Sequence, residues 1–208
     1  MRKGIGVCCI ILGICCLIAS AGLIVYNNRD AAHAQNASKT ILQDVRESIL
    51  EHSHEEESSD KHDQSESAEL PLDLPKEMLT TQVDGYDCIG VLSIPVLELE
   101  LPVLTDWSYA KLKIAPCLYF GSCYEKDFVI AAHNYPSHFG RLSALQPKDL
   151  ILFTDITGTV HYYEVVLLET LPAGATEAMI TSGFDLSLYT CTPGGANRVT
   201  VRCNTVRK

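Results

Sequence analysis

A long apolar run, residues 4–26, opens the chain and contains no charged side chain. Its length is sufficient for a helix to span the hydrocarbon core of a bilayer. Arg2 and Lys3 precede it, which favours a cytoplasmic N-terminus (residues 1–3) and an extracellular remainder. A cleaved signal peptide is the alternative, since Ala32-His33-Ala34 has the small-x-small pattern of a cleavage site. The run exceeds the apolar core of about 7–15 residues usual in signal peptides, so we predict an uncleaved anchor.

Residues 27–82 change to a polar pattern. Apolar residues recur at helical spacing within residues 38–51, which leaves room for one short amphipathic helix. Residues 52–69 are acidic and lack aromatic side chains, so they cannot bury enough surface to offset the entropy of ordering. We predict a largely disordered extracellular linker. Its histidines lack the spacing of metal ligands, which favours a solvated tether over a metal site: His52, His54 and His62.

Beyond residue 83 the pattern becomes short β-type runs separated by Gly, Pro and Asp. Such a pattern predicts a mainly β domain, closed or sandwiched, because closure removes exposed strand edges. Residues 155–159 have the composition of a hairpin connection, and residues 109–114 and 141–145 are candidate short helices. The predicted strands are residues 88–94, 99–104, 128–133, 150–154, 160–170, 186–191 and 198–203.

The 208 residues carry a net charge of −10, from 26 acidic and 16 basic side chains. A nucleic-acid binder needs a cationic surface to displace counterions, so this class is excluded. The acidic residues concentrate between positions 44 and 69, so the charge describes mainly the linker.

Three chemically useful side chains stand at predicted strand ends. Cys191 ends one strand before a Pro-Gly-Gly turn, Arg198 opens the next strand, and His133 ends an earlier apolar strand. A cysteine reacts as thiolate, a histidine can protonate a departing amine, and an arginine can stabilise a developing oxyanion. The residues therefore indicate thiol-dependent acyl transfer. Each residue alone has an ordinary structural explanation, because strand cysteines are commonly small buried residues.

Four neighbours of this trio are candidate substrate contacts. Thr190 and Thr192 flank the cysteine, and Asn134 and His138 follow the histidine. Of the nine cysteines, five lie outside the apolar run, and an odd number leaves at least one unpaired if disulfides form. The pairing of Cys88, Cys117, Cys123 and Cys203 stays open. We predict no cofactor and no metal, because the acidic residues considered for calcium show no ligand pattern: Glu100, Asp106, Asp149 and Asp155.

At these residues the chain resembles the sortases, the membrane-anchored cysteine transpeptidases of Gram-positive bacteria. The family signature T-L-x-T-C followed by arginine reads here Ser187-Leu188-Tyr189-Thr190-Cys191 and Arg198. Ala132-His133-Asn134 matches the family histidine, and Phe139-Gly140-Arg141-Leu142 resembles the F-x-x-L segment after it. Residues 89–95 are similar to the first strand motif, I-G-x-L-x-I-P.

The resemblance implies a closed eight-stranded β-barrel over residues 83–208, with Cys191, His133 and Arg198 as catalytic residues. It implies attack on an LPxTG-like sorting signal, a thioacyl enzyme, and release by an amine of a cell-wall precursor or a pilin lysine. Ser187 replaces the usual threonine and Ala132 a common glycine. The short interval after the cysteine leaves Arg202 as an alternative arginine, although Arg198 lies nearer the turn.

The subclass and the reaction outcome stay open. No second hydrophobic span follows the domain and no lid motif is recognised, which favours protein anchoring over pilus assembly. A cysteine peptidase that releases the product to water would use the same residues. A non-catalytic peptide-binding surface module is the third alternative, although a pure binder has no need for a free thiol.

Overall fold

The computed structural model describes the backbone of residues 2–59 and 77–206 and the side chains of residues 10–52 and 77–206. Its helices are α1 (Arg2–Ser59), α2 (Tyr109–Leu112) and α3 (Thr176–Ile180). The strands are β1 (Thr81–Val83), β2 (Tyr86–Ile94), β3 (Leu99–Leu104), β4 (Cys117–Phe120), β5 (Phe128–Ala131), β6 (Leu150–Asp155), β7 (Val160–Pro172), β8 (Leu186–Cys191) and β9 (Asn197–Thr205).

Eight of these strands form a closed barrel, as predicted. Their order is β2-β3-β4-β5-β8-β9-β7-β6, and β6 pairs back onto β2 to close the ring. Strand β1 pairs antiparallel with the first residues of β2 and is not part of this ring. The sheet is mixed, because β3–β4 and β5–β8 are parallel and the other pairs are antiparallel. The sequence analysis missed β1, β4 and α3, which are each five residues or fewer and show no clear periodicity.

The barrel interior is filled by alternate side chains of its strands. Phe128 and Phe153 meet edge to face at its centre, with ring centroids 5.0 Å apart. Gly90, within the segment resembling the first family strand, has a φ of 150° and lies against the carbonyl of Thr154. A Cβ at this position would collide with that carbonyl, so this glycine lets β2 and β6 approach closely enough to close the ring.

Helix α1 packs along the outside of the barrel. Ile41 and Val45 are buried in a cluster with Val83 of β1 and with Leu104 and Cys117 of the barrel strands. Ala34 and Ser38, further towards the N-terminus, are buried as well. Beyond the cluster, the guanidinium of Arg46 pairs with the carboxylate of Glu100 on β3.

Residues 27–59 are therefore helical, where the sequence analysis expected a largely disordered linker with one short helix. The predicted spacing of Ile41 and Val45 is present, but the helix extends well beyond it in both directions. Most helix stability in proteins comes from packing of an apolar face, and here that face is the barrel surface, which the linker composition does not reveal. Residues 60–76 of the expected linker lie outside the described residues.

The N-terminal part of α1 is a candidate membrane span. An 18-residue window has a mean hydropathy of 2.2 and none of it is buried against the rest of the chain. Within the part of the chain that the structure describes, no other helix is long and apolar enough to cross a bilayer.

Replacing Ile41 with alanine tests the docking of α1. The side chain is 2 % exposed, so its truncation removes buried contacts and should lower the free energy of unfolding by about 2 kcal/mol. In the detergent-solubilised chain, the thermal midpoint should fall by about 4–8 °C. Gln43→Ala, on the exposed face of the same helix, is the control. Equal midpoints for the two variants would contradict the packing of α1 on the barrel.

Candidate active site

Cys191, His133 and Arg198 are brought together by three neighbouring strands. Strands β5 and β8 run parallel with Ala131 opposite Tyr189, and Cys191 and His133 each lie two residues further along. The ladder continues through the amide of Ala132, which donates to the carbonyl of Tyr189 at 3.2 Å. On the other edge of β8, Cys191 is directly opposite Arg198 of β9. Because paired residues point to the same face of a sheet, the three side chains share one face.

That face is the outer surface of the barrel. Ala132 is buried in the core, and Thr190 is 3 % exposed with its hydroxyl donating to the carbonyl of Ala132 at 2.8 Å. The alternation of a strand therefore turns Cys191 outward. The predicted substrate contact of Thr190 does not fit this burial, since its hydroxyl links β8 to β5. The Thr192 hydroxyl accepts from the amide of Asn197 at 3.1 Å and so holds the turn before β9.

Five cysteines follow α1, all of them among the described residues, and Cys191 differs from the other four. Cys191 is partly exposed, whereas the other four are buried. Burial raises the pKa of the thiols of Cys88, Cys117 and Cys203 to about 12, which keeps them protonated and unreactive. A thiol that must meet a substrate needs access, and Cys191 has it.

His133 is half-buried, two residues after the end of β5. Burial lowers the pKa of its imidazole, and the nearby charge of Lys113 lowers it further, while the carboxylate of Asp30 acts in the opposite direction. Its Nε2 atom is buried and finds no hydrogen-bond partner among the described residues. A lowered pKa makes the imidazolium a stronger acid, which suits donation of a proton to a leaving group.

The loop after His133 folds back tightly. The amide of Phe139 donates to the carbonyl of His133 at 3.1 Å, and the amide of Gly140 donates to that of Tyr135 at 2.9 Å. A Cβ on Gly140 would lie 2.5 Å from the carbonyl oxygen of Asn134, so only glycine fits without a shift of the loop. Asn134 itself is exposed beside the histidine, and its substrate contact stays a prediction.

His138, predicted as a substrate contact, is completely buried inside this loop. Its ring lies 5.5 Å from that of Tyr135, and burial lowers its pKa to about 4. A neutral, inaccessible imidazole cannot contact a substrate in this conformation, so its role is structural.

The two candidate arginines have different surroundings. Arg202 is 2 % exposed, and it donates to Glu169 at 2.7 Å, to the Ser187 hydroxyl at 2.8 Å and to the carbonyl of Ala178 in α3 at 2.7 Å. Arg198 is partly exposed beside Cys191, and its Nη1 donates to two carbonyls of its own turn, Gly195 at 2.9 Å and Asn197 at 3.1 Å. A guanidinium has five N–H donors, so Arg198 retains donors for a ligand. The geometry favours Arg198 over Arg202.

A row of aromatic side chains borders Cys191. The ring of Tyr189, two residues before Cys191 on the same face, meets Tyr119 edge to face at 5.3 Å. Tyr119 in turn contacts Trp107, which is 42 % exposed, at 5.6 Å. The segment around α3 lies across from this row, and a cleft forms between the two. The cleft is lined by Tyr119, Pro172, Ala173, Ala175, Thr176, Met179, Tyr189 and Arg198.

Cys123, Asp155 and His161 form a separate group whose ligand atoms lie within 4.8 Å of one another. The Asp155 carboxylate accepts from the Tyr124 hydroxyl at 3.0 Å, from His161 Nε2 at 3.1 Å, and from the backbone of the turn after β6. Both oxygens are thus engaged, and the hydrogen bonds lower the pKa of this carboxyl against the effect of burial. These hydrogen bonds account for the close approach of Asp155 and His161. They also fix the hairpin that the sequence predicted at residues 155–159.

Sequence reasoning missed three residues around His133. Tyr135 stacks on the His133 ring, and its hydroxyl donates to Asp30 of α1 at 2.5 Å. Lys113, after α2, lies 3.4 Å from the same carboxylate. No local pattern marks these residues, because Asp30 is 105 residues from Tyr135 and fell in the expected linker.

The different surroundings of the two arginines generate a paired test. Arg202→Met would leave Glu169 and the α3 carbonyls without their donor, and should lower the free energy of unfolding by about 3 kcal/mol. Arg198→Gln, at a partly exposed turn, should change it by less than about 1 kcal/mol. Urea unfolding of the two variants measures this difference, and equal losses would contradict the assignment.

His138 should make stability depend on pH. An unfolded histidine titrates near 6.5, whereas the folded value is about 4, so protonation favours the unfolded chain. Above pH 6.5 the histidine is neutral in both states and the free energy of unfolding is not affected. As the pH falls from 6.5 to 4, the free energy of unfolding should decrease by about 3 kcal/mol. His138→Phe should flatten this dependence in urea titrations from pH 7 to 4. An unchanged slope would show that other groups cause it.

Comparisons with known proteins agree with this fold. A family model described as the sortase domain matches residues 92–206, more than half of the chain. Similar solved structures include a sortase D5 transpeptidase of Clostridium perfringens (TM-score 0.59, 17% identity, 83% of this chain and 99% of that one). Another is sortase C of Streptococcus pneumoniae (TM-score 0.55, 21% identity, 83% and 97%).

Sortase A of Corynebacterium diphtheriae, in a lid mutant, is similar at a TM-score of 0.53 and 20% identity, with 80% of this chain and 96% of that one covered. A search of curated proteins gave no match. At these low sequence identities, the solved structures support the fold alone. The family model covers most of the barrel, and its match includes the segments that carry Cys191, His133 and Arg198. The chain belongs to the sortase family.

Proposed function

We propose that this sortase cleaves an LPxTG-like sorting signal with Cys191 and transfers the acyl group to an amine. The observation that carries the proposal is the partly exposed thiol of Cys191 at the end of β8. It has Arg198 of β9 opposite it on one edge, and on the other edge β5, which His133 follows by two residues. Family membership supports transpeptidation as the reaction class.

In the first half-reaction the Cys191 thiol gives its proton to His133, and the resulting thiolate attacks the carbonyl carbon of the scissile peptide bond. Negative charge builds on the carbonyl oxygen, where the free donors of Arg198 stabilise it. The intermediate then collapses, the C–N bond breaks, and the His133 imidazolium gives its proton to the departing amine. The product is a thioester on Cys191 and a free amine.

In the second half-reaction an acceptor amine attacks the thioester carbonyl. His133, now neutral, takes the proton of the attacking amine, and the thiolate of Cys191 leaves. Because its lowered pKa makes His133 mostly neutral near pH 7, it is ready to accept this proton. Water attacking in place of the amine would give hydrolysis with the same residues.

The cleft beside the nucleophile is the proposed substrate site. Tyr119 and Tyr189 offer an apolar surface with hydroxyl groups, suited to the apolar residues of a sorting signal. One similar structure, sortase C of Streptococcus pneumoniae, is described with pilin substrates. A pilin lysine and an amine of a cell-wall precursor are the two acceptors we propose for this chain.

The apolar part of α1 is the proposed anchor. Arg2 and Lys3 before it favour a cytoplasmic N-terminus and an extracellular barrel. In this orientation the thiol faces the compartment where secreted substrates and cell-wall precursors are found.

Intact mass of the detergent-solubilised chain tests the proposal. After incubation with a panel of LPxTG-like peptides, we expect a thioacyl adduct that Cys191→Ala abolishes. Addition of an amine acceptor should convert the adduct to ligated peptide. His133→Ala should slow adduct formation by about 10²–10⁴-fold, and Arg198→Gln by about 10²–10³-fold.

The controls separate the alternatives. Release of free acid in the presence of excess amine would indicate a peptidase. A Cys191 that reacts with a thiol reagent but is acylated by no peptide of the panel would contradict the proposal for LPxTG-like signals.

A further inference from the structure

Tyr135 connects His133 to helix α1. The rings of Tyr135 and His133 are stacked, with centroids 4.8 Å apart and an angle of 30° between their planes. At its other end the Tyr135 hydroxyl donates to the carboxylate of Asp30 on α1 at 2.5 Å. The side chain therefore bridges an element far away in sequence to the proposed acid–base group.

Asp30 is held from a second side. The ammonium of Lys113, which follows α2, lies 3.4 Å from the same carboxylate oxygen. The hydrogen bond from Tyr135 and the charge of Lys113 lower the pKa of Asp30 against the effect of desolvation, so this carboxyl is charged at neutral pH. A charged acceptor strengthens a hydrogen bond and fixes its donor more firmly than a neutral one.

The His133 ring has few other restraints. Its Nε2 atom makes no hydrogen bond to the described residues, and the backbone bond from Phe139 fixes only its carbonyl. A catalytic histidine normally needs a partner that sets the orientation of its ring. Here the face of Tyr135 occupies that position, and Asp30 determines where Tyr135 lies.

We propose that Tyr135 and Asp30 are positioning residues for His133, so that the docked α1 helix sets the geometry of acyl transfer. The proposal rests on the function of His133 proposed above. Tyr135 restricts the rotation of the imidazole by stacking, and Asp30 fixes Tyr135 through its hydroxyl. Neither residue contacts the reacting atoms.

The charges around His133 give this arrangement a measurable signature. Asp30 from α1 raises the pKa of the imidazole, and Lys113 beside α2 lowers it. From its own loop, Tyr135 is a phenol whose pKa is raised by burial and by Asp30, and His138 is neutral at pH 7. Cys191 faces it from β8. Removal of the Asp30 charge must therefore lower the pKa of His133, whereas removal of the Tyr135 hydroxyl leaves that charge in place.

The experiment compares Asp30→Asn and Tyr135→Phe in the full chain. Two matched controls are available: Asp44→Asn changes the same charge at an exposed site of α1, and Tyr124→Phe removes a tyrosine–aspartate hydrogen bond elsewhere in the barrel. Steady-state transpeptidation gives kcat and KM, and imidazole NMR, with His133→Asn for assignment, gives the pKa of His133.

We expect each positioning variant to lose about tenfold in kcat with little change in KM, the lower end of the loss found when a partner that orients a metal-bound histidine is removed. The double variant should lose far less than the product of the single losses, because both act through one contact. Asp30→Asn should lower the pKa of His133, and Asp30→Glu should recover part of kcat. The two controls should match the parent chain.

Unchanged kcat and an unchanged His133 titration in both positioning variants would overturn the proposal, and so would equal losses in the controls. The titration does not depend on turnover. If the parent chain fails to ligate any peptide, a lowered His133 pKa in Asp30→Asn still supports the contact, while the proposed substrate class is what fails.

Discussion

Strand β8 is hydrogen-bonded on both edges, in parallel to β5 and antiparallel to β9. A slip of one residue in either pairing would turn Cys191 to the opposite face from His133 or Arg198, because side chains alternate along a strand. The core prevents such a slip, since Leu186, Leu188 and Thr190 would exchange places with the outward residues. The hydroxyl of Thr190 adds a direct link to β5. The hydrophobic alternation of one strand thus holds three chemically distinct groups side by side.

The outer face of β9 shows how neighbouring identical residues acquire different roles. Arg198 and Arg202 lie on the same side of the strand, but α3 covers only the second. Under that cover a guanidinium is tolerated because Glu169, Ser187 and backbone carbonyls accept its hydrogen bonds. At the open end the same group remains available to a ligand. The segment between β7 and β8 therefore both shapes the cleft and depends on the buried arginine for its own position.

Much of this could be read from the sequence. The barrel, its closure and the three residues at strand ends followed from strand patterns together with the family motifs, because strand direction and turn position are local properties. Residues whose role depends on distant neighbours could not be placed. Thr190 is next to Cys191 in sequence and His138 follows His133 closely, yet Thr190 is buried in the barrel core and His138 inside the loop after β5. The helical state of residues 27–59 depends on a barrel surface formed far along the chain, and so does the contact between Asp30 and Tyr135.

If α1 anchors the chain in a bilayer as proposed, the position of Asp30 also determines the height of the barrel above that bilayer. It lies four residues after Tyr26, the last residue of the apolar run, which is about 6 Å along a helix axis. In a chain anchored through α1, the edge of the barrel that carries His133 is held at the level of the lipid headgroups, and the remaining contacts of α1 lead away from them. An acyl donor or acceptor tethered to the same leaflet by a short segment could reach the thiol, whereas a site at the far end of the barrel would be out of its range.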